Sequence, residues 1–569
     1  MTTIRSNHRK PCGPALCAAA LLALAACGRA YAPASSTGTV AMGPPISVPQ
    51  AAEAHPTVDT KQQKSIAQGA AGALAGQNLV IGGGGTWTQP PVNNERYQDV
   101  APNPVKIAAE EPVSTFSIDV DSASYSNVRR FLHEGTLPPR DTVRIEEMVN
   151  YFDYAYDLPK ERTAPFAASV AVMPTPWNPG TKLLHIGIKG YDMARTERPR
   201  ANLVFLIDVS GSMQSPDKLP LVKQTVSDFV RHLDERDRVA IVVYAGNVGT
   251  VLEPTPASNQ ARILAAIDGL EAGGSTAGGE GIRQAYELAE RNFDKAAVNR
   301  VILATDGDFN VGIIDPQALE DFVARKRETG IYLSVLGFGT GNINDLLWQK
   351  LAQSGNGNAA YIDSLMEGHK VLIDEASSTL FPIANDVKIQ VEFNPAVVAE
   401  YRLIGYETRA LRREDFNNDQ VDAGEIGSGH EVTALYEITP VGSPARLDDP
   451  LRYGTQTAPA AADRGSEYAF LRLRYKLPGE QASRLIERPV TRSDEYAGID
   501  RAPAEARFAV AVAAFGELLR GDPYLSQYRY DDVLALAQTA RGTDEYGYRA
   551  EFVQLVRIAE GARAQAALQ

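Results

Sequence analysis

Cysteine is scarce in this chain. Three occur in 569 residues, Cys12, Cys17 and Cys27, all at the amino-terminal end. No disulfide can therefore staple the part that folds, and an apolar core has to hold it together. Basic runs are missing as well: the formal net charge is -14, and there is no Lys/Arg block or RNA-binding aromatic signature. A surface of that kind does not attract phosphate backbones, which excludes nucleic acid as a partner. The apolar stretch 15–26 is too short to span a bilayer comfortably. The run Gly82 to Gly85 lacks the Lys and Ser/Thr of a phosphate-binding loop, so a nucleotide reading has no support.

What is present suffices for several domains, at a prior of roughly one per 150 residues. From residue 28 to about 111 the chain is rich in Ala, Gly, Pro, Ser, Thr and Gln with few large apolar residues. That composition cannot bury enough surface to fold and reads as a flexible tether. Folding resumes at Val113, with a strand over 115–121, a helix capped by Ser122 and running through Glu134, and a second helix from Asp141 or Thr142. Asp119 and Asp121 read as polar positions at a strand end rather than as metal ligands. Two strands follow, over 167–174 and 182–189.

The run Leu203 to Ile207 is continuously apolar, as a central parallel strand covered on both faces would be. Asp208, Ser210 and Ser212 follow at its carboxyl end, where open parallel sheets bind ligands. These oxygen donors suit a hard divalent cation, Mg2+ above all; the bland alternative is a turn, which Asp, Ser and Gly also favour. Gly273, Gly274, Ser275 and Thr276 form a glycine-rich loop, and Thr305, Asp306 and Gly307 follow a second apolar strand over 301–304. In that order, D-x-S-G-S, G-G-S-T and T-D-G resemble the metal-ion-dependent adhesion site of von Willebrand factor type A domains. The resemblance implies a metal held by Asp208, Ser210, Ser212, Thr276 and Asp306, Mg2+ or alternatively Mn2+ or Ca2+, whose shell an acidic side chain of a protein partner can complete.

Helices over 218–233, 257–270, 279–292, 316–329 and 344–353 alternate with strands over 239–244, 301–304 and 331–337. This is the pattern of a doubly wound, mostly parallel α/β sheet. Gly337, Gly339 and Gly341 read as a tight turn, since their spacing is not that of a dinucleotide loop. Beyond Phe381 the pattern turns β-rich, with strands over 386–393, 399–404, 430–438 and 467–475, then helices over 503–519 and 530–562. The stretch 415–425 looks like a calcium loop but has Gln420 and Ile426 where Gly and a bidentate Glu are needed, so a solvated hairpin loop is expected. Two strands before the type A module are too few to stand alone, so the module is expected to be inserted into a β domain with strands from both sides.

Two further resemblances frame the chain. Arg5, Arg9 and Lys10, the apolar stretch and L-A-A-C-G from Leu24 resemble a bacterial lipoprotein signal, which implies cleavage before Cys27 and lipid on its sulfur. The implied location is the cell envelope, at the outer membrane facing the periplasm where the host has two membranes. The segments S-T-F-S-I-D-V-D-S-A-S-Y to R-I-E-E-M-V-N-Y-F and D-F-N-N-D-Q-V-D-A-G-E through G-S-G-H-E-V-T-A-L-Y-E-I resemble the YfbK-like family. The expected organisation is a signal peptide at 1–26, a tether at 27–111, an α+β segment at 112–200, the type A domain at 201–379 and a β-rich and helical domain at 380–569.

For function, the leading expectation is a membrane-anchored, non-enzymatic lipoprotein that binds a protein partner through the metal. A metal-assisted phosphohydrolase is the competitor, although Ser210 stands where that chemistry wants a second Asp and no His or Cys adjoins the motif. A lipid-anchored scaffold with a purely structural metal is the third. Lys218 is equally a solvated helix residue or a general base, and a nucleophile built from Ser215 and Lys218 rests on spacing alone.

Overall fold

A computed structural model describes residues 94–161, 164–194, 196–275, 278–307, 316–421, 423–449 and 466–566. Cys27 and Thr276, and with them the signal peptide and most of the tether, lie outside the described residues.

Before the type A module come β1 (Lys106–Ile107), β2 (Val113–Ser117), α1 (Ala123–His133), α2 (Ile145–Val149), β3 (Phe166–Thr175) and β4 (Asn178–Gly190). Within the module run β5 (Ala201–Asp208), α3 (Leu219–His232), β6 (Arg238–Tyr244), β7 (Val248–Pro256), α4 (Gln260–Asp268) and α5 (Gly278–Arg291). It continues through β8 (Val298–Thr305), α6 (Pro316–Glu328), β9 (Ile331–Phe338), α7 (Asp345–Ser354), β10 (Ala359–Ile362), α8 (Leu365–His369) and α9 (Ala376–Leu380). Its sheet has the order β10-β9-β8-β5-β6-β7 and is parallel except for β7. All eight residues of β5 are buried, and alternate side chains serve opposite faces. Leu203, Phe205 and Ile207 pack with Val222, Val226 and Phe229 of α3, while Val204 and Leu206 pack with Ile282, Ala285 and Leu288 of α5. A strand covered on both sides has no place for alternating polar residues, hence the continuous apolar run.

The remaining strands are β11 (Pro382–Phe393), β12 (Val398–Ile404), β13 (Ile426–Gly427), β14 (Glu431–Pro440), β15 (Glu467–Lys476) and β16 (Arg484–Thr491). They close a sandwich with strands from ahead of the module. One sheet has the order β1-β12-β14-β4-β3; the other is β13-β11-β15-β16, with β2 also on β11. The antiparallel β4/β14 pairing, Lys182↔Ile438 through Lys189↔Glu431, joins chain from the two sides of the module. The insertion expected from strand counting is therefore present. Entry and exit run side by side, with the Arg198 guanidinium 5.2 Å from the centre of the Phe381 ring.

The strand period again divides the core. Leu184, Ile186 and Ile188 face the second sheet through Ile389, Val391, Leu471 and Leu473. Leu183, Ala171 and Met173 face a helical layer of α1, α2, α10 (Ala504–Arg520), α11 (Tyr530–Ala540) and α12 (Tyr548–Ala566).

Several expectations need correction. The tether does not extend to 111: Asn94 N–H donates to Gly341 O, Arg96 N–H to Ile343 O, and β1 pairs with β12. Glu95 forms an ion pair with Arg130 at 2.9 Å that composition could not reveal. Ser122 occupies the cap position of α1 without a side-chain bond to it; Glu147 Oε2 instead accepts from Ser124 N–H at 2.8 Å. The helix expected over 530–562 breaks between Ala540 and Tyr548, where Gly542 and Gly547 adopt positive φ of 61° and 82°. Strands β7, β10, β13 and β16 were not expected. Of these, β7 and β16 lie at sheet edges and carry prolines (Pro254 and Pro256; Pro489), which mask the strand pattern but are tolerated at an edge.

Asp119 and Asp121 both bind Arg409, at 3.0 and 2.6 Å, as polar positions at a strand end. The 415–425 stretch is not the solvated hairpin loop expected: it links β12 to β13 in different sheets and buries Asp415, Phe416 and Ala423. The Lys388 ammonium donates to the carbonyls of Asp415 and Asn418, so the chain's own cation sits there.

Candidate metal centre

Asp208 is the last residue of β5, and Asp306 directly follows Thr305, the last residue of the neighbouring parallel strand β8. Sheet geometry thus brings two carboxylates to one rim, and both are almost wholly buried. The loop after β5 folds back on the first: Ser210 N–H donates to Asp208 Oδ1 at 2.8 Å, and the Ser210 and Ser212 hydroxyls lie 3.0 Å apart. Ser210 is buried and Ser212 exposed, so the cluster reaches solvent through Ser212.

Glycine-rich chain packs against this loop from the other side. Gly211 N–H donates to Gly274 O at 3.0 Å, and Gly273 N–H donates to Val209 O at 2.7 Å. These bonds hold 273–275 beside Ser210 and Ser212, immediately before Thr276, whose own position is not described. At the third segment Gly307 has φ 107°, and a Cβ there would lie 1.9 Å from Asn342 O. The glycine of T-D-G is needed both for its backbone conformation and for that close approach.

Burial pushes the Asp208 carboxyl up to about 6; the Ser210 hydrogen bonds oppose the shift and the neighbouring Asp306 adds to it. Asp306 Oδ1 is buried without a hydrogen-bond donor, whereas Asp208 has the Tyr244 hydroxyl as a hydrogen-bonding neighbour. A buried carboxylate oxygen left without a donor costs free energy unless something cationic satisfies it. The arrangement, two carboxylates and two hydroxyls, all oxygen, could hold a hard divalent ion. Asp208, Ser210, Ser212 and Asp306 are brought together as the sequence reading requires. A groove of about 830 Å³ opens beside the first loop, from Met213 and Gln214 past Lys223 and Asp228 to Glu271 and Leu365.

Lys218 is buried rather than solvated. Its Nζ lies 2.8 Å from Asp306 Oδ2, and Ser215 donates its hydroxyl hydrogen to Asp217 instead. No sequence signal pointed to this pairing, because a lysine ahead of an amphipathic helix is ordinarily exposed. The contribution of Tyr244, a core residue by pattern, was equally hidden.

Comparison with known proteins gives the geometry a family. The von Willebrand factor type A domain description matches residues 202–373, a von Willebrand factor description matches 91–185, and "Uncharacterized protein YfbK, C-terminal" matches 378–562. The "Uncharacterized protein YfbK" of Escherichia coli (strain K12) is 47% identical over 472 residues, covering 82% of this chain and 81% of that one. The chain belongs to the YfbK family. Its middle third is a von Willebrand factor type A domain, a fold that often mediates metal-dependent protein interactions. A more distant relative is inter-alpha-trypsin inhibitor heavy chain H3 of Homo sapiens, 27% identical over 42% of this chain and 28% of that one. Among solved structures, a von Willebrand factor type A protein from Catenulispora acidiphila covers 71% of this chain and 91% of its own length, at 16% identity and a TM-score of 0.39.

Proposed function

We propose that this YfbK-family protein is a membrane-anchored, non-enzymatic binding protein that captures a protein partner through a divalent metal, Mg2+ first and Mn2+ or Ca2+ as alternatives. The observation that carries the reading is the pair Asp208 and Asp306. They are two buried carboxylates on adjacent strand ends, Asp306 with an oxygen lacking a hydrogen-bond donor, beside hydroxyls open to solvent at Ser212. Asp208, Ser210, Ser212, Thr276 and Asp306 would hold the ion. When bound, the ion supplies a Lewis-acidic position that a partner's carboxylate can occupy. The chain's own contribution is to hold the donors: β5 and β8 fix the carboxylates, the Gly211 to Gly274 bond fixes the hydroxyl loop, and burial strengthens their charge interactions.

Attachment is proposed through lipid on Cys27, placing the protein in the bacterial envelope, at the outer membrane facing the periplasm in a two-membrane host. The basis is the L-A-A-C-G sequence alone. Crosslinked pull-down from the native envelope tests the reading: partners should be recovered by the native chain, and lost with chelator and with Asp208→Ala. Recovery unchanged by both treatments would contradict it, as would phosphatase activity lost with Asp208→Ala.

A further inference from the structure

Lys218 lies just ahead of α3, is nearly buried and directs its ammonium onto Asp306 Oδ2 at 2.8 Å. The path of its side chain is built into the fold. Gly339 has φ 74°, and a Cβ there would lie 2.4 Å from both Cγ and Cε of Lys218, so only glycine at this turn lets the lysine through. Its backbone is anchored too: Lys218 N–H donates to Ser215 O and its carbonyl accepts from Val222 N–H.

We propose that Lys218 is a resident counter-cation of the metal centre, which weakens divalent-ion binding and makes the loaded centre selective for an anionic ligand. This rests on the metal reading above. An ion bound by Asp208 and Asp306 shares Asp306 with an ammonium group, and like charges a few ångströms apart in a partly buried site repel strongly. The same charge changes what the centre accepts. Two carboxylates and a divalent ion alone are neutral, whereas with Lys218 one positive charge is left over, and a single carboxylate cancels it. A centre of this kind binds metal and acidic ligand cooperatively, each tightening the other by the same factor.

The test is calorimetric titration of Mn2+ into the full chain, native, Lys218→Met and Lys218→Gln, with and without saturating sodium acetate, folding being checked by thermal unfolding. Both variants should bind Mn2+ about tenfold or more tightly than the native chain. Acetate should tighten Mn2+ binding to the native chain more than to either variant; either folded variant is enough to decide. Equal or weaker Mn2+ binding in a folded variant, or an acetate effect of equal size in native and variant chains, would overturn the role of Lys218 while leaving the metal reading intact. Absence of Mn2+ binding in all three chains would overturn both.

Discussion

Arg144, at the head of α2, and Asp345, the first residue of α7, form an ion pair 2.9 Å apart with side chains 4% and 0% exposed. The pair crosses from the helical layer that covers the sandwich to the inserted module. It is not alone, because Gln349 donates to Glu147 at 3.0 Å and Arg129 reaches Glu367 at 2.8 Å. The module is therefore bolted to its host by buried charge. Removing one partner of a buried pair leaves the other uncompensated, so Arg144→Met should cost roughly 3–5 kcal/mol. Denaturant unfolding of the full chain measures it, and a loss near zero would show that this interface is not structural.

Stability should also depend on pH through His185. It is buried on β4, with Nε2 2.9 Å from the Tyr156 hydroxyl, and burial pushes its pKa down to about 4. In the unfolded chain a histidine titrates at about 6.5. The unfolded state therefore binds more protons between those values, and stability present above about 6.5 is lost as pH falls toward 4. Between pH 7 and 5 the native chain should lose about 2 kcal/mol more than His185→Gln. Equal slopes for the two chains would refute this.

Gly307→Ala should disturb the third segment of the centre. The side chain would collide with the Asn342 carbonyl and force an alanine to φ 107°. A destabilisation of roughly 1–3 kcal/mol is expected, together with weaker Mg2+ binding, since Asp306 is the preceding residue. Unfolding and metal titration on one sample test both parts.

How legible all this was depended on how local the signal is. The four type A strands that were expected carry runs such as Leu203 to Ile207, in which burial on both faces leaves a pattern readable without the fold. The edge strands β7 and β16 carry proline and charge, because edges tolerate what a central strand cannot. Asp208, Ser210, Ser212 and Asp306 could be found because each sits in a short motif. Lys218 could not, since its partner Asp306 is distant in sequence and its path depends on Gly339 in a third segment. Residues 94–107 were misread for the same reason: Glu95 is held by Arg130, which composition does not see.

Cys27→Ser should release the protein from the membrane fraction. Several acyl chains anchor firmly where one is marginal, and the variant has no sulfur to carry them. Mass spectrometry of the mature amino terminus checks the premise: a lipid-modified residue 27 is expected, and an unmodified Cys27 or a different start contradicts it.

The measurement that bears most directly on the central claim is calorimetric titration of Mg2+ into the full chain, native, Asp208→Asn and Thr276→Ala. The native chain should bind one ion, and both variants should stay folded with binding weakened at least about a hundredfold. A folded Asp208→Asn chain that binds Mg2+ as tightly as the native one would show that the metal centre is not where β5 and β8 meet.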